Sequence, residues 1–311
     1  MNTIKIQPVA AIEKGLFHTP FWLAPAKNIF EERSVRFQEL AQNESSEWKL
    51  YLELLGNLSA AQQRVSEKHP LFNVPALYQG QTVLPQATLG EVPVEFYGIL
   101  TDLLAEINGN TTHTVQAEIG KLAALSREEA EALAKRILLQ TDTDADRTAV
   151  IWVQAALQII WTAWAIQLTE DHVPPVEERV NCPCCGTEAV GSVVLVKGDF
   201  NGHRYMHCPL CNSRWNALRA QCPTCGASSG MHIQEIDTEA MPGLTPALQG
   251  ARAESCEVCH SYRKLYRLDK QQYADPVADD LASLALDILV GEAGYQRGGA
   301  NPFLLLDKQA D

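Results

Sequence analysis

The chain has 311 residues, 46% of them hydrophobic and 20% charged, enough for about two domains with sizeable cores. Its net charge of -13 and pI near 5.1 exclude a surface built mainly to grip phosphate, whether of nucleic acid or of an anionic membrane. The opening MNTIKIQPVAAIEKG has neither a basic flank before an apolar run nor a small-residue cleavage site, so no secretory signal is read and a cytoplasmic location is expected.

In chain order, 29–42 and 47–64 place apolar residues three and four apart, as in Trp48, Tyr51, Leu52, Leu55 and Leu58, the pattern of amphipathic helices in a packed bundle. Pro70, Pro75, Pro85 and Pro93 then forbid one long helix and predict an irregular surface loop from His69 to Pro93. Helical spacing resumes near 94–107 and 114–125. Ser126 with Glu129 reads as a capping box that opens a helix to about Leu139. Ala149 to Leu168 is almost wholly apolar and long enough to cross a bilayer. Gln154, Gln158 and Thr162 recur every four residues along it, a polar stripe unsuited to lipid, so it is read as the central helix of a bundle with no membrane insertion. Pro174 and Pro175 end it. Far downstream, Asp275 and Pro276 look like an N-cap and first helical residue of a helix to about Val290. The acidic pair Asp279 and Asp280 suits the positive end of that helix.

All nine cysteines lie at or after residue 182. In a chain without an export signal, such cysteines are better read as thiolates for metal or redox chemistry than as disulfides. Eight form four C-x-x-C pairs: Cys182/Cys185, Cys208/Cys211, Cys222/Cys225 and Cys256/Cys259. A tetrahedral metal takes four ligands, so the pairs make two sites. Neighbours in sequence are expected to share a metal, with the interlaced pairing left open. Proline inside three of the pairs pre-sets a tight turn, and Gly186, Gly226 and Asn212 stand where a positive φ is expected. Cys256-Glu257-Val258-Cys259-His260 is the least regular. Gly191 to Lys197 and Arg204 to His207 read as strands, giving a β-hairpin per site, with Tyr205, Trp215 and Tyr262 covering the small cores. Ligand count leaves iron and zinc open, and the spacing favours two mononuclear sites over an iron–sulfur cluster.

Cys184, the ninth cysteine, is read as a solvent-facing position within the first knuckle, with a reactive thiol as the alternative. His203, His207 and His260 flank complete ligand sets and are expected to support or border them. Gly226-Ala227-Ser228-Ser229-Gly230 matches a nucleophile-elbow pattern by letters but follows a metal knuckle, and no phosphate-binding glycine loop is found, so no catalytic residues are assigned. The fold class is therefore α+β: a helical domain at 1–176, then rubredoxin-like or zinc-ribbon modules at 177–220 and 221–311, the second carrying the C-terminal helix.

The four C-x-x-C pairs at these spacings, the apolar helix with Trp152 and Trp161, the run DPVADDLASLALD at 275–287 and the closing Asn301-Pro302-Phe303 together resemble the formate dehydrogenase accessory protein family, FdhE. The resemblance covers essentially the whole chain. It implies a cytoplasmic maturation factor, not an enzyme, that contacts the catalytic subunit of respiratory formate dehydrogenase and carries iron at Cys182, Cys185, Cys208, Cys211, Cys222, Cys225, Cys256 and Cys259. Two other readings compete: a rubredoxin-type electron carrier or thiol transferase, and a zinc-ribbon nucleic-acid binder. Residues 178–270 hold ten Lys/Arg and nine Asp/Glu. Two divalent metals on eight thiolates then make the region net negative, which disfavours nucleic acid. A homodimer stays open.

Overall fold

The computed structural model describes residues 20–44, 47–70, 72–74, 82–108, 111–173, 175, 180–195, 202–219, 221–237 and 243–305. The helical part comprises α1 (Ile29–Gln42), α2 (Trp48–Lys68), α3 (Phe96–Asn108), α4 (His113–Ala123), α5 (Arg127–Leu138) and α6 (Arg147–Ile166). The capping box is present at Ser126 and Glu129. α6 is central to the bundle: Trp152, Leu157, Ile160 and Trp161 are buried among residues of α2 and α3. Among the described residues, Asp144–Ile166 is the one helical stretch long and apolar enough to span a bilayer, and 78% of its window is buried inside the protein. Burial in protein accounts for that apolar length without lipid.

The expected surface loop is described in pieces, and residues 71 and 75–81 lie outside the described set. Its 82–87 part is not a surface loop. Leu84 is fully buried, and the backbone N–H groups of Val83, Leu84 and Ala87 donate to the carbonyls of Pro183, Cys184 and Cys185.

The C-terminal half is strand-rich. β1 (Trp22–Leu23), β2 (Gly191–Val194), β3 (Arg204–His207), β4 (Arg214–Ala217), β5 (Met231–Gln234), β6 (Ala251–Cys256), β7 (Ser261–Arg267) and β8 (Gln296–Arg297) form one sheet, ordered β1-β4-β3-β2-β7-β6-β5 with β8 beside β7. Two antiparallel units, β2-β3-β4 and β5-β6-β7, have the same plan: a knuckle before the first strand and another in the turn of the following hairpin. Each site therefore has a hairpin plus one further strand. The units join through parallel pairing of β2 with β7, Ser192 opposite Leu265, and through a buried ion pair from Arg204 on β3 to Glu254 on β6 at 2.7 Å. β1, which precedes the first helix in the chain, pairs Trp22 with Trp215 on β4. A short helix, α7 (Pro246–Gly250), lies between β5 and β6.

The C-terminal helix departs from expectation. It is broken into α8 (Pro276–Leu281) and α9 (Leu284–Glu292). At the break sits Lys264, fully buried on β7, whose ammonium takes the carbonyls of Asp280 at 2.8 Å and Ser283 at 3.1 Å, and the Ser283 hydroxyl donates to the Asp279 carbonyl at 2.7 Å. Those carbonyls are thereby drawn to a buried cation at the point where the helix breaks. Asp275 does cap α8, accepting from the N–H groups of Val277 and Ala278.

The acidic pair after it does more than suit the helix start, where Asp279 lies in the first turn and accepts from the Asp275 N–H at 2.8 Å. Asp279 and Asp280 are wholly buried and ion-paired, Asp279 with Arg36 of α1 at 2.5 Å and Asp280 with Lys264 at 3.2 Å and with Arg297. Arg33 of α1 reaches both Asp275 carboxylate oxygens and Asn212. Trp48 Nε1 donates to the Leu281 carbonyl and the Tyr51 hydroxyl to that of Phe303. The run at 275–287 and the Asn-Pro-Phe close are thus the clasp that fastens the C-terminus to the helical bundle.

Candidate metal centres

The eight paired cysteines gather into two groups, Cys182, Cys185, Cys208 and Cys211, and Cys222, Cys225, Cys256 and Cys259, the sulfurs of each within 4.8 Å of one another. Neighbours in sequence share a cluster; the interlaced arrangement does not occur. In the first, Cys182 and Cys211 are 3.5 Å apart and Cys185 and Cys208 3.4 Å. In the second, Cys222 and Cys259 are 3.7 Å apart and Cys225 and Cys256 3.8 Å. A tetrahedron with metal–sulfur bonds of about 2.3 Å has edges of about 3.8 Å, so both clusters have the size of a mononuclear tetrathiolate site.

Local chemistry explains why the chain folds back at these points. In both leading knuckles the cysteine N–H bonds forward, Cys182 to the Thr187 carbonyl and Cys222 to that of Ala227, while Gly186 and Gly226 bond back to the cysteine carbonyl. Those glycines have φ of 77° and 74°, which L side chains rarely adopt. In both trailing knuckles a residue in the left-handed region follows, Asn212 with φ 57° and His260 with φ 52°. A serine comes next, Ser213 or Ser261, whose hydroxyl lies 3.0 Å from the sulfur of Cys211 or Cys259. The fourth knuckle, read from sequence as irregular, therefore repeats the second; the shared signal was the serine two places after the cysteine.

The first cluster lies inside the principal core. All four of its cysteines are buried, and the carbonyls of both knuckles are held by the helical bundle. The 82–87 segment covers 183–185. On the other side Gln158 of α6 donates to the Pro209 carbonyl at 2.8 Å, itself steadied by Gln62 at 2.8 Å, and Asn212 donates to Thr162 at 2.9 Å. The polar stripe on the apolar helix is thus the seat of a metal knuckle. Cys184 is buried too, with its thiol against Cys182 and Cys211. Its expected solvent-facing position fails because the 82–87 segment packs over that knuckle. His207 is buried, and desolvation, with Arg214 beside it, pushes its imidazole down to about 3, so it is neutral.

Burial pushes the thiols of Cys185, Cys208 and Cys211 well above the usual range. Against the same burial, hydrogen bonds from its thiol neighbours hold Cys182 well below it. Four buried thiols therefore cannot all ionise without a cation among them, the electrostatic signature of a metal-binding set.

The second cluster is at the surface. Cys222 and Cys256 are buried, but Cys225 is exposed and Cys259 half-buried. Cys259 is drawn down to about 7: partial burial raises it, and the Ser261 hydroxyl and N–H and the neighbouring thiols lower it further. Beside it Val258 is 61% exposed, and His232 and Glu257 form a solvent-facing pair at 3.0 Å.

Models of the FdhE family match the chain nearly end to end: the FdhE N-terminal model at residues 19–178, the central domain at 181–219 and the C-terminal domain at 220–304. A protein named FdhE homolog from Actinobacillus pleuropneumoniae serotype 3 is 34% identical, covering 97% of this chain and 98% of the relative. Another from Haemophilus influenzae strain PittEE is 34% identical over 92% of each. The crystal structure of the FdhE protein from Pseudomonas aeruginosa superposes with a TM-score of 0.80 at 28% identity, covering 94% of this chain and all of that one. On its sequence, its fold and its two cysteine clusters, the chain belongs to the FdhE family.

Proposed function

We propose that this chain is a cytoplasmic accessory protein that prepares respiratory formate dehydrogenase, holding its catalytic subunit during maturation and carrying one iron in each four-cysteine cluster, with no catalytic residues of its own. The family supports the role, and two tetrathiolate-sized clusters support the metal. Cys182, Cys185, Cys208 and Cys211 would hold one ion, and Cys222, Cys225, Cys256 and Cys259 the other. Iron there supplies a one-electron ferric/ferrous couple, whereas zinc supplies only a structural closure. The protein's part is to place four sulfurs at tetrahedral spacing, to offer hydroxyls of Ser213 and Ser261 to the thiolates, and to bury one cluster while leaving the other open. The proposed division is a helical part at 1–176 and metal modules at 177–220 and 221–311, the metal modules each an antiparallel three-stranded unit with two knuckles.

The single observation that carries the reading is the pair of complete four-sulfur sets on a chain similar to FdhE proteins over its whole length. The test is complementation in a bacterium lacking its own family member. Restored respiratory formate dehydrogenase activity, with the catalytic subunit co-purifying on the tagged chain, is the expected result. Neither activity nor capture would reject the role. Visible thiolate-to-iron charge-transfer bands in anaerobically purified protein are expected for iron, and a colourless protein with two zincs would reduce the modules to a scaffold.

A further inference from the structure

Both clusters offer the same four ligands, yet they differ in how far those ligands are buried and in what packs over them. We infer that the two centres divide the work: the ion at Cys222, Cys225, Cys256 and Cys259 is exchangeable with ligands from solution or from a partner, while the ion at Cys182, Cys185, Cys208 and Cys211 is locked in place and fastens the metal module to the helical bundle. The inference rests on the reading that both clusters hold a metal.

The locked centre is enclosed on two sides. Its sulfurs belong to the same core as α2, α3 and α6. Hydrogen bonds from Val83, Leu84 and Ala87 hold the leading knuckle, and Gln158 holds the trailing one. For a competing ligand to reach the ion, one of those layers must lift. That opening breaks buried hydrogen bonds and exposes apolar core, a high-energy local unfolding.

Among the described residues, the open centre has no such cover. Neither Cys222 nor Cys256 belongs to either hydrophobic cluster. Cys225 is exposed and Cys259 half-exposed. The flanking groups, Val258, Glu257 and His232, are themselves largely solvated. The module is held through its sheet, by β2 against β7, by Lys264 on the Asp280 and Ser283 carbonyls, and by β8, whose Gln296 and Gly298 bond to the His260 and Tyr262 carbonyls. An incoming donor can therefore approach along the Cys225–Cys259 edge without disturbing the core. Exchange there is ligand substitution at constant oxidation state. A donor atom bonds to the ion as a cysteine sulfur leaves, and each departing thiolate takes a proton from water.

The experiment loads the full chain anaerobically with zinc, confirms the metal content, and mixes it with excess of the chromogenic chelator 4-(2-pyridylazo)resorcinol. Two equivalents should leave in two steps of one each, the second about 100-fold slower because it waits on local opening. Iodoacetamide added after the first step should label Cys222, Cys225, Cys256 and Cys259 and spare the first four, as mapped by peptide mass. Cys225→Ser should abolish the fast step and keep the slow one. Gln158→Leu, which frees the Pro209 carbonyl, should accelerate the slow step alone. Release of both equivalents in one phase, or early labelling of Cys182, Cys185, Cys208 or Cys211, overturns the division. Fewer than two zincs at the start instead contradicts the reading that both clusters hold a metal, and the division falls with it.

Discussion

The first and second metal modules share one local design and differ in what lies around it. Both have a leading knuckle closed by glycine, a trailing knuckle closed by a left-handed residue and serine, and three antiparallel strands. Among the described residues, the first alone has its knuckles covered by the helical part, by the 82–87 segment and α6 and by Arg33 at Asn212. A ligand set thus fixes which ion can bind, but its packing decides whether that ion is part of the core or an accessible reagent.

The largest effect expected is from cutting one ligand in each module. Cys208→Ser should cost several kcal/mol and lower the unfolding midpoint of the helical bundle, since the ion it helps hold is continuous with that core and structural metal binding contributes directly to folding. Cys225→Ser should leave the helical transition nearly in place. Denaturant unfolding followed by helical circular dichroism separates the two, and equal losses would erase the contrast.

Next comes the clasp. Arg33→Met strands the buried carboxylate of Asp275 and frees the Asn212 side-chain oxygen, and about 3–5 kcal/mol should be lost. The loss should carry the first module with it and not the second, which hydrogen exchange resolved by peptide would show. A uniform loss of protection would mean that the modules are one cooperative unit.

These contacts also show what a sequence can and cannot reveal. The helices, the capping box and the pairing of cysteines into two clusters were legible because each rests on residues close together in the chain. The clasp was not, because Arg33 and Asp275 are 242 positions apart and an acid after a helix start is explained as well by the helix dipole as by a distant arginine. The distant partners of Asp279 and Asp280 were hidden for that reason. Cys184 misled because its burial is imposed by a loop a hundred positions upstream. The polar stripe of Gln158 and Thr162 was visible, and it argued against lipid, but its partners at Pro209 and Asn212 could only come from the tertiary structure. The break between α8 and α9 is met by Lys264, which lies on a strand and carries no helical signal.

Gln158→Leu isolates a smaller part of the same contrast. It leaves the Pro209 carbonyl and the Gln62 amide short of a partner, a cost of about 1–3 kcal/mol. The stability change should be read from the helical transition, and no change would show that the stripe does not secure the first module.

A pH series sharpens the clasp further. Burial raises the Asp275 carboxyl, but Arg33 and the N–H groups it caps outweigh that and hold it at about 2, against an ordinary 3.8. A carboxyl depressed in the folded state contributes fully above pH 3.8 and loses that contribution as pH falls toward 2. The stability gap between wild type and Asp275→Asn should therefore be constant near neutrality and narrow across that interval. A gap unchanged down to pH 2 would show that the carboxylate charge does not hold the clasp. The smallest effect is expected at the open module, where His232→Gln removes the exposed pair with Glu257 and should change stability by no more than about 1 kcal/mol.

Native mass spectrometry of anaerobically purified protein addresses the two-centre architecture most directly. Two metal atoms per chain without inorganic sulfide, falling to one in Cys225→Ser, is the predicted mass. A single metal per wild-type chain, or the added mass of an iron–sulfur cluster, would contradict two independent tetrathiolate centres.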